Sequence, residues 1–226
     1  MFDTASAAVA AYPPPVGKRA IIAVPDGTRP VDVEGALLAL KPCVRDALVV
    51  VGLGLHRQME PHELPQSPYP VVQHDPDDVF STGTHHGIPG FVSRHLREGD
   101  VVFGLGIVEL HQYAGFSGGH KAVAVGLGGR TTIDALHHRH RVTAPGVVLG
   151  QIDGNPFREA VDALGRAANC TWVLQVAGNR WVAGQPEAAF QTAANSLDCW
   201  LDIPTRYDAA VLVVPPKKAV NFYQAS

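Results

Sequence analysis

Short apolar runs bounded by glycine and proline recur along the chain, and stretches with helical periodicity lie between them. Continuous runs rich in β-branched residues are typical of strands buried on both faces of a sheet. Such runs predict strands at 20–24, 47–51, 70–73, 101–103, 171–176 and 209–214. We expect the fourth run to break at Gly104-Leu105-Gly106, which follows it. The alternation predicts an α/β fold, Rossmann-like, with a mostly parallel sheet and flanking helices.

Three stretches carry the apolar spacing of helices. They cover 31–40, 155–168 and 187–201. The second has the clearest start signal, because Asn155 is a good N-cap, Pro156 suits the first helical position and Glu159 places negative charge in the first turn.

Polar motifs follow the first four apolar runs. They occupy 26–30, 56–57, 74–75 and 109–121. In an open parallel sheet, ligands bind beyond the carboxyl ends of the strands. We therefore expect all four motifs to lie on one rim of the sheet and to form one site.

Composition narrows the class of protein. The chain has 226 residues, a formal net charge of −3 and no basic run, which argues against a nucleic-acid partner. Cys43, Cys170 and Cys199 are far apart, so we expect no disulfide framework and a reducing, cytoplasmic setting. We find no convincing signal peptide and no run of 18 apolar residues, so we expect no membrane span. Eleven histidines stand out, because they cluster with glycine.

The first polar motif combines a carboxylate, a hydroxyl and a guanidinium in one turn. These are Asp26, Thr28 and Arg29. An arginine holds a carboxylate or phosphate by two parallel hydrogen bonds. An ordinary surface turn is the alternative.

The second motif places His56 at a strand end loosened by Gly52 and Gly54. Histidine suits proton transfer near neutral pH, although a lone histidine there is more often structural. The third motif, His74-Asp75-Pro76-Asp77-Asp78, offers ligands for a hard cation. A solvated acidic loop is an equally good interpretation of it.

The densest motif is Gly115-Phe116-Ser117-Gly118-Gly119-His120-Lys121. It matches the GxSxG pattern of serine hydrolases, but no apolar run leads directly into Ser117. A glycine-rich loop that presents backbone N–H groups to a phosphate is the better interpretation. Lys121 adds positive charge, or is a nucleophilic amine if a neighbour such as a cationic His120 lowers its pKa.

Residues His137-His138-Arg139-His140 place three imidazoles in a short stretch. If 131–140 is helical, successive side chains point in different directions, so only one or two imidazoles reach a common point. An exposed basic helix end is the alternative.

Together, these motifs resemble the nickel-pincer-nucleotide-dependent lactate racemase family. The matching residues are Asp26-x-Thr28-Arg29-Pro30, Gly54-x-His56-Arg57, Glu109-x-His111-x-x-Ala114-Gly115-Phe116-Ser117-Gly118-Gly119-x-Lys121, Gly126, Thr132-Ile133 and His137. The block from His111 to Lys121 is the most specific. Further on, 221–225 resembles the opening of the family's second domain.

The resemblance implies a role for each motif residue. Lys121 resembles the lysine that joins covalently to the nickel-pincer nucleotide (pyridinium-3,5-bisthiocarboxylic acid mononucleotide). His137 resembles the protein ligand to nickel, for which square-planar geometry is a normal preference. His56 and His111 resemble the two acid/base residues, one for each face of the substrate.

The remaining implied contacts concern binding. Arg29, with Asp26 nearby, resembles the substrate-orienting pair, and Tyr223 and Gln224 are further implied substrate contacts. Thr28 and the loop of Ser117, Gly118 and Gly119 are expected to contact the cofactor nucleotide; the loop assignment rests on its own chemistry.

The implied reaction is racemisation or epimerisation of a small 2-hydroxy acid by reversible hydride transfer to the nickel-pincer nucleotide. One histidine takes the hydroxyl proton as the α-hydrogen leaves, which gives a planar 2-keto acid. Hydride return to the other face, with a proton from the second histidine, inverts the centre. Each histidine then alternates between neutral and protonated forms, so we expect both pKa values to lie near the working pH.

The resemblance also implies a domain division and a gap. We expect a lead-in at 1–18, a lactate-racemase-like N-terminal catalytic and cofactor domain at 19–206, and a strand and remnant of the second domain at 207–226. We expect a natural short form or a fragment, with a homo-oligomer or partner chain completing the site. The alternative function is a non-catalytic module that binds the nickel-pincer nucleotide or another nucleotide for storage, delivery or sensing.

Overall fold

The computed structural model describes residues 1–17 and 19–197, together with Asp208, Ala209, Val211 and Val213. The strands are β1 (Ala20–Pro25), β2 (Ala47–Gly52), β3 (Val71–Gln73), β4 (Val79–His85), β5 (Ile88–Ser93), β6 (Val101–Val108), β7 (Leu110–His111), β8 (Gly115–Phe116), β9 (Cys170–Ala177) and β10 (Arg180–Gly184). The α-helices are α1 (Ala5–Ala11), α2 (Val33–Leu40), α3 (Lys121–Ala124), α4 (Arg130–Leu136), α5 (Arg139–Val142), α6 (Pro156–Ala167) and α7 (Pro186–Asn195). Two 3₁₀ turns lie at Pro61–Glu63 and Arg94–Glu98.

Six of these strands form the central sheet, in the order β10-β9-β6-β1-β2-β3. The pairs β3–β2, β2–β1, β1–β6 and β6–β9 are parallel, and only β10 runs antiparallel, at the edge. The predicted α/β fold with a mostly parallel sheet is confirmed. The strand order reverses direction between β1 and β6, where doubly wound sheets open a ligand-binding crevice at their carboxyl ends.

The two faces of the sheet bury separate sets of side chains. Ile22 and Val24 of β1 pack in one cluster with Leu37 of α2. Their neighbour Ile21 packs in a second cluster with Val123 of α3. Successive strand residues point to opposite faces, so the continuous apolar run in β1 supplies both layers of the core.

Most predicted elements are confirmed with small changes at their ends. The strands at 20–24, 47–51, 70–73 and 171–176 correspond to β1, β2, β3 and β9. The helix predicted at 155–168 is α6, and the Asn155 side chain caps it by accepting from the N–H groups of Phe157 and Arg158. The strand predicted at 209–214 and the remnant after it lie outside the described residues, apart from Asp208, Ala209, Val211 and Val213.

The strand that begins at Val101 does not break at its glycines, as the sequence led us to expect. It continues through Gly104 and Gly106 to Val108. Backbone pairing explains the difference, because Gly104 is in register with both β1 and β9, and Gly106 with β9. Neither glycine forms a turn, and the two differ in their surroundings. A Cβ at Gly104 would lie 3.2 Å from Val173, and one at Gly106 would face open space.

Several elements were not predicted, among them α1 and the hairpin of β4 and β5. The segment 1–18, expected to be a lead-in, contains α1, and Phe2 exchanges backbone hydrogen bonds of 2.8 and 2.7 Å with Trp181 of β10. The hairpin of β4 and β5 forms a separate two-stranded sheet. No helix in the described part of the chain is long and apolar enough to cross a membrane.

Candidate active site

A cavity of about 710 Å³ opens at the carboxyl ends of β1, β2 and β6. Three of the four polar motifs supply its walls, as predicted from their positions after the strands. The candidate residues that line it are Asp26, Thr28, Arg29, His56, His111, Ser117, Gly118, Gly119, Lys121 and His137. Residues separated by more than a hundred positions therefore share one concave site at the topological switch point of the sheet.

The third motif, at 74–75, does not line this cavity, which corrects the expected convergence. His74 is fully buried, and its Nε2 atom lies 2.9 Å from the carbonyl oxygen of Gly128. Asp77 and Asp78 form ion pairs with Arg130 and Arg94 on the surface. Within the described ranges, no group of three or more histidine, cysteine or acidic side chains is arranged to hold a metal ion. The hard-cation interpretation of 74–78 is therefore wrong for this structure.

Asp26 connects the first two motifs. Its Oδ2 atom lies 2.7 Å from Nδ1 of His56, and its Oδ1 atom accepts a hydrogen bond of 2.5 Å from the Thr28 hydroxyl. Burial alone would raise the pKa of Asp26, but the hydrogen bonds from His56 and Thr28 lower it below its ordinary value. Asp26 is therefore ionised at neutral pH.

This carboxylate fixes the tautomer of His56. An ionised carboxylate only accepts hydrogen bonds, so Nδ1 of His56 carries the proton and Nε2 keeps its lone pair. The same carboxylate–imidazole arrangement orients the general base of serine proteases. His56 lines the cavity and its side chain is 43% exposed, so the basic Nε2 atom is on an accessible ring.

Arg29 follows the Asp26 turn and lies beside a second carboxylate. Its Nη1 atom lies 3.9 Å from Oε2 of Glu109. Asp26 contacts His56 and Arg29 contacts Glu109, and the joint role of Arg29 and Asp26 in orienting the substrate stays a prediction. Arg29 lines the cavity and leaves the positioning of His56 to Asp26.

His111 is held in the opposite tautomer. Its Nδ1 atom accepts hydrogen bonds from the backbone N–H groups of Tyr113 (3.2 Å) and Ala114 (3.1 Å). The neutral ring therefore carries its proton on Nε2 and is a hydrogen-bond donor there. A neutral histidine that polarises a carbonyl oxygen is an established catalytic role.

The pKa of His111 is lowered to about 2, so the expected value near the working pH is wrong for His111 as the chain stands. Burial is the largest cause, and the charges of Lys121 and Arg29 add to it. A low-polarity wall and two nearby cations both oppose a charged imidazolium.

His137 lies where the predicted helix over 131–140 is interrupted. It caps the end of α4, and α5 begins two residues later. Its Nδ1–H donates to the carbonyl oxygen of Ile133 at 2.8 Å, which leaves the Nε2 lone pair available to a metal. Burial is also the main reason that the pKa of His137 is lowered, which keeps the ring neutral. His138 and His140 are exposed and do not line the cavity.

An aromatic cluster holds His111 and His137 together. Phe157 of α6 lies between them, with ring centroids 6.4 Å from His111 and 5.4 Å from His137. Tyr113 contacts the rings of all three. The interruption after α4 and the turn after β7 therefore bring His111 and His137 to one wall.

Lys121 is half-buried at the start of α3 and lines the cavity. Its pKa is lowered to about 7, first by burial and then by the charges of Arg29 and Arg158. A substantial fraction of the amine is then neutral and nucleophilic at neutral pH. The expected contribution from a cationic His120 is not found, because His120 is buried, its own pKa is lowered, and its Nε2 atom faces Glu187.

The Ser117 hydroxyl is engaged by the backbone. It donates to the carbonyl oxygen of Ile107 at 2.8 Å and accepts from the N–H of Glu109 at 2.9 Å. These bonds join the residue after β8 to the end of β6. They give Ser117 a structural task, which argues against the serine-hydrolase interpretation of the GxSxG pattern.

Two cavity-forming residues were missed in the sequence. Gln175 lines the cavity and accepts from the Gly119 N–H through Oε1. Arg158 is buried behind the same loop, where it donates to the carbonyl oxygen of Gly118 at 3.2 Å and pairs with Asp162. A polar residue inside the apolar run 171–176, and an Arg–Asp pair four residues apart, were the available signals.

The sequence from residue 14 to residue 148 matches the family model described as the lactate racemase N-terminal domain, which covers more than half of the chain. The chain belongs to this family. The match includes every candidate residue of the cavity that the motifs supplied, and it ends before Gln175.

Two lactate racemases are similar in sequence to this member of the family. The enzyme of Lactiplantibacillus plantarum is 27% identical over 178 residues, which cover 71% of this chain and 42% of the relative. The enzyme of Thermoanaerobacterium thermosaccharolyticum is 28% identical over 85 residues, which cover 38% of this chain and 20% of the relative. The aligned regions thus cover less than half the length of these relatives.

Solved structures support the fold. The lactate racemase apoprotein from Thermoanaerobacterium thermosaccharolyticum superposes with a TM-score of 0.78 at 22% identity, covering 87% of this chain and 55% of that one. A Thermotoga maritima protein from structural genomics superposes with a TM-score of 0.63 at 18% identity, covering 87% of this chain and 56% of that one. The lactate-racemase-like α/β fold is confirmed. Tyr223 and Gln224, the substrate contacts expected from the resemblance, lie outside the described residues.

Proposed function

We propose that this chain is the cofactor-binding and acid/base part of an isomerase, a racemase or epimerase of a small 2-hydroxy acid. The main observation is that one cavity contains two histidines in complementary tautomers, His56 and His111, together with a lysine of low pKa, Lys121. A reaction that moves a hydroxyl proton on and off a planar intermediate needs such a pair.

The cavity residues fit a nickel-pincer nucleotide, the cofactor that family membership suggests. Lys121 offers an amine that is partly neutral at pH 7, and His137 offers an Nε2 lone pair on a ring whose Nδ1–H is already bonded. Gly106 leaves open space in the same cavity. When bound, this group would accept and return the α-hydrogen as hydride.

In the proposal, the chain's own residues bind and orient the substrate. The Arg29 guanidinium would hold the carboxylate of the hydroxy acid, with Glu109 beside it. Fixing the carboxylate limits rotation about the bond to the reacting carbon, so each face of that carbon meets one imidazole.

The two histidines would start from different states. His56 Nε2, with Asp26 behind the ring, would accept the hydroxyl proton. His111 would donate a hydrogen bond from Nε2 to the same oxygen or to the keto oxygen that replaces it. For the reaction to run through the other face, His111 must gain affinity for a proton.

The charge of Lys121 supplies a way to raise that affinity. Lys121 is one of the cations that hold the pKa of His111 down, and Arg29 is another. Condensation of the neutral Lys121 amine with an acid group of the cofactor, with loss of water, would give an uncharged amide-type nitrogen and so remove the first charge. A substrate carboxylate at Arg29 would offset the second. Both events would raise the pKa of His111 towards the range that proton transfer requires.

We further propose that another segment or subunit covers the cavity. Leu55 and Leu149 line the cavity and are 41% and 49% exposed, so they present apolar surface at its mouth. The family relatives are about twice as long as this chain. A second copy of the chain or a separate partner would complete the site by packing on these leucines.

The test is conversion of D-lactate to L-lactate by protein produced together with the cofactor's biosynthetic enzymes. We expect turnover, and we expect His56→Ala and His111→Ala each to reduce it by 10²-fold or more. The exposed His138→Ala variant is the matched control. Unchanged turnover in both cavity variants would refute the two-histidine mechanism. Tight cofactor binding without turnover across a panel of hydroxy acids would instead support the non-catalytic module.

A further inference from the structure

Gln175 is a buried polar residue on the floor of the cavity, and the sequence motifs of the family do not include it. It lies in β9, and its side chain is 1% exposed. It neighbours Gly106 of β6 in the parallel register, so both residues face the same side of the sheet. The missing Cβ of Gly106 leaves open space there.

The orientation of the Gln175 amide is set by the backbone. The N–H of Gly119 donates to the side-chain oxygen of Gln175 at 2.5 Å. A backbone N–H only donates, so the oxygen must face Gly119 and the NH₂ group must face the other way. The assignment of the two amide atoms therefore follows from chemistry.

The NH₂ group is left without a partner. Across the described ranges, no acceptor lies within hydrogen-bonding distance of Nε2, although the atom is buried. An unpaired buried donor is destabilising, and native structures keep few of them. Because Gln175 lines the cavity, a ligand in the cavity is the natural source of the missing acceptor.

The surroundings indicate the charge of that acceptor. Lys121 and Ser117 line the same cavity, and the buried Arg158 guanidinium donates to the carbonyl oxygen of Gly118 on the other side of the loop. A neutral donor near two cationic side chains favours an anionic oxygen. The loop of Gly118 and Gly119 contributes no free N–H at Gly119, since Gln175 already accepts it. The donor that reaches the cavity is therefore the glutamine amide.

We propose that Gln175 is a ligand-binding residue whose NH₂ group donates a hydrogen bond to a phosphate oxygen of a nucleotide in the cavity. Gln175 thereby binds the phosphate that the glycine-rich loop was expected to bind. Its side-chain oxygen holds the loop in place, and its side-chain nitrogen donates to the phosphate. The inference rests on the proposed function in one respect, that the cavity takes a nucleotide.

The test uses the apoprotein and a defined probe, nicotinic acid mononucleotide, with nicotinic acid riboside as the matched ligand that lacks phosphate. Isothermal titration calorimetry should show tenfold or more tighter binding of the mononucleotide. Gln175→Glu keeps an acceptor for the Gly119 N–H but removes the donor. We expect it to weaken mononucleotide binding at least tenfold and to leave riboside binding within twofold.

Two further variants keep the result decisive. Gln175→Met removes the donor without adding charge, and it should also abolish the preference for the mononucleotide. It provides the test if Gln175→Glu does not fold. Gln191→Glu makes the same glutamine-to-glutamate change on an exposed side chain outside the cavity and should have less than a threefold effect on either ligand.

Four results would overturn the proposal. Three of them concern the two probes. They are equal binding of the two probes by the unsubstituted chain, undetectable binding of the mononucleotide, and full retention of its affinity in the Gln175 variants, which would mean that only water pairs with the amide. A loss confined to lactate binding would also overturn it, because the acceptor would then be the substrate carboxylate. Covalent loading of Lys121 in a cofactor-producing host is measured separately. Normal loading with unaffected Gln175 variants would refute this inference alone.

Discussion

At the scale of single residues, the site depends on which nitrogen of each histidine carries the proton. Asp26 places the proton of His56 on Nδ1, and two backbone N–H groups place the proton of His111 on Nε2. The sequence motifs identify both histidines but give no information on these tautomers. They arise from a carboxylate thirty positions away in one case and from a turn of the backbone in the other.

Asp26→Asn tests the first tautomer. The amide keeps the size of the side chain but loses the charge that holds Nδ1–H, so His56 is free to adopt the wrong tautomer. We expect kcat/KM of the loaded enzyme to fall by ~10²–10⁴. Thr28→Val, which removes only the hydrogen bond to the other carboxylate oxygen, should have an effect of less than about tenfold. Equal effects of the two variants would argue against the orienting role of Asp26.

Lys121→Met tests the electrostatic coupling to His111. Removal of a nearby positive charge should raise the pKa of His111 from about 2 towards its ordinary value. Nuclear magnetic resonance of the His111 ring should show titration beginning at higher pH in Lys121→Met than in the unsubstituted protein. Lys121→Arg keeps the charge and should titrate like the unsubstituted protein. An identical titration in all three proteins would show that the two residues are not coupled.

At the scale of elements, the strand β6 determines how the cavity is shaped. From sequence, Gly104-Leu105-Gly106 predicts a break in the strand, because glycine is a common turn signal. The structure shows that pairing with β1 and β9 keeps β6 extended. Gly104 leaves room for Val173 and for the loop at Gly119, whereas Gly106 faces open space. The sequence predicts the strands well because their runs are apolar, but it does not report which glycine serves packing.

The two glycines of β6 should respond differently to alanine. At Gly104, a methyl group would crowd Val173 and Ala122, so we expect Gly104→Ala to cost ~1–3 kcal/mol of unfolding free energy. At Gly106, the methyl group meets open space, so Gly106→Ala should leave stability within ~0.5 kcal/mol. Urea denaturation measures both. Equal destabilisation by the two substitutions would contradict the assigned roles.

The candidate site was predictable wherever residue type and spacing carry the chemistry. His56, His111, Lys121 and His137 are recovered from motifs and lie in one cavity. The structural role of the stretch at 74–78 was not predictable. It depends on ion pairs with Arg94 and Arg130 and on the burial of His74, which involve residues distant in sequence. Gln175 was missed for a related reason: its role depends on a hydrogen bond to a loop 56 positions away.

At the scale of the whole molecule, folding buries several histidines in the neutral form. Burial lowers the pKa values of His74, His111, His120 and His137. The unfolded chain therefore binds more protons than the folded chain below about pH 6.5, and stability decreases as the pH falls through that value. A fall in pH therefore favours protonation of buried histidines both in the core and in the cavity.

We predict a loss of ~3 kcal/mol in unfolding free energy between pH 7 and pH 5, allowing for solvent at the half-buried rings. Urea denaturation across this range provides the measurement. His74→Gln removes one buried group and should flatten the dependence, while the exposed His62→Gln should leave it unchanged. A free energy independent of pH would contradict the burial of neutral histidines.

We propose above all that Lys121 and His137 hold a nickel-containing nucleotide in this cavity. Intact mass and nickel content should be measured on protein produced with the cofactor's biosynthetic enzymes, alongside the Lactiplantibacillus plantarum lactate racemase as a loading control. We predict one covalent adduct and one nickel per chain, no adduct in Lys121→Ala, and adduct with little nickel in His137→Ala. Loading of the control enzyme with an unmodified, nickel-free chain would contradict the claim.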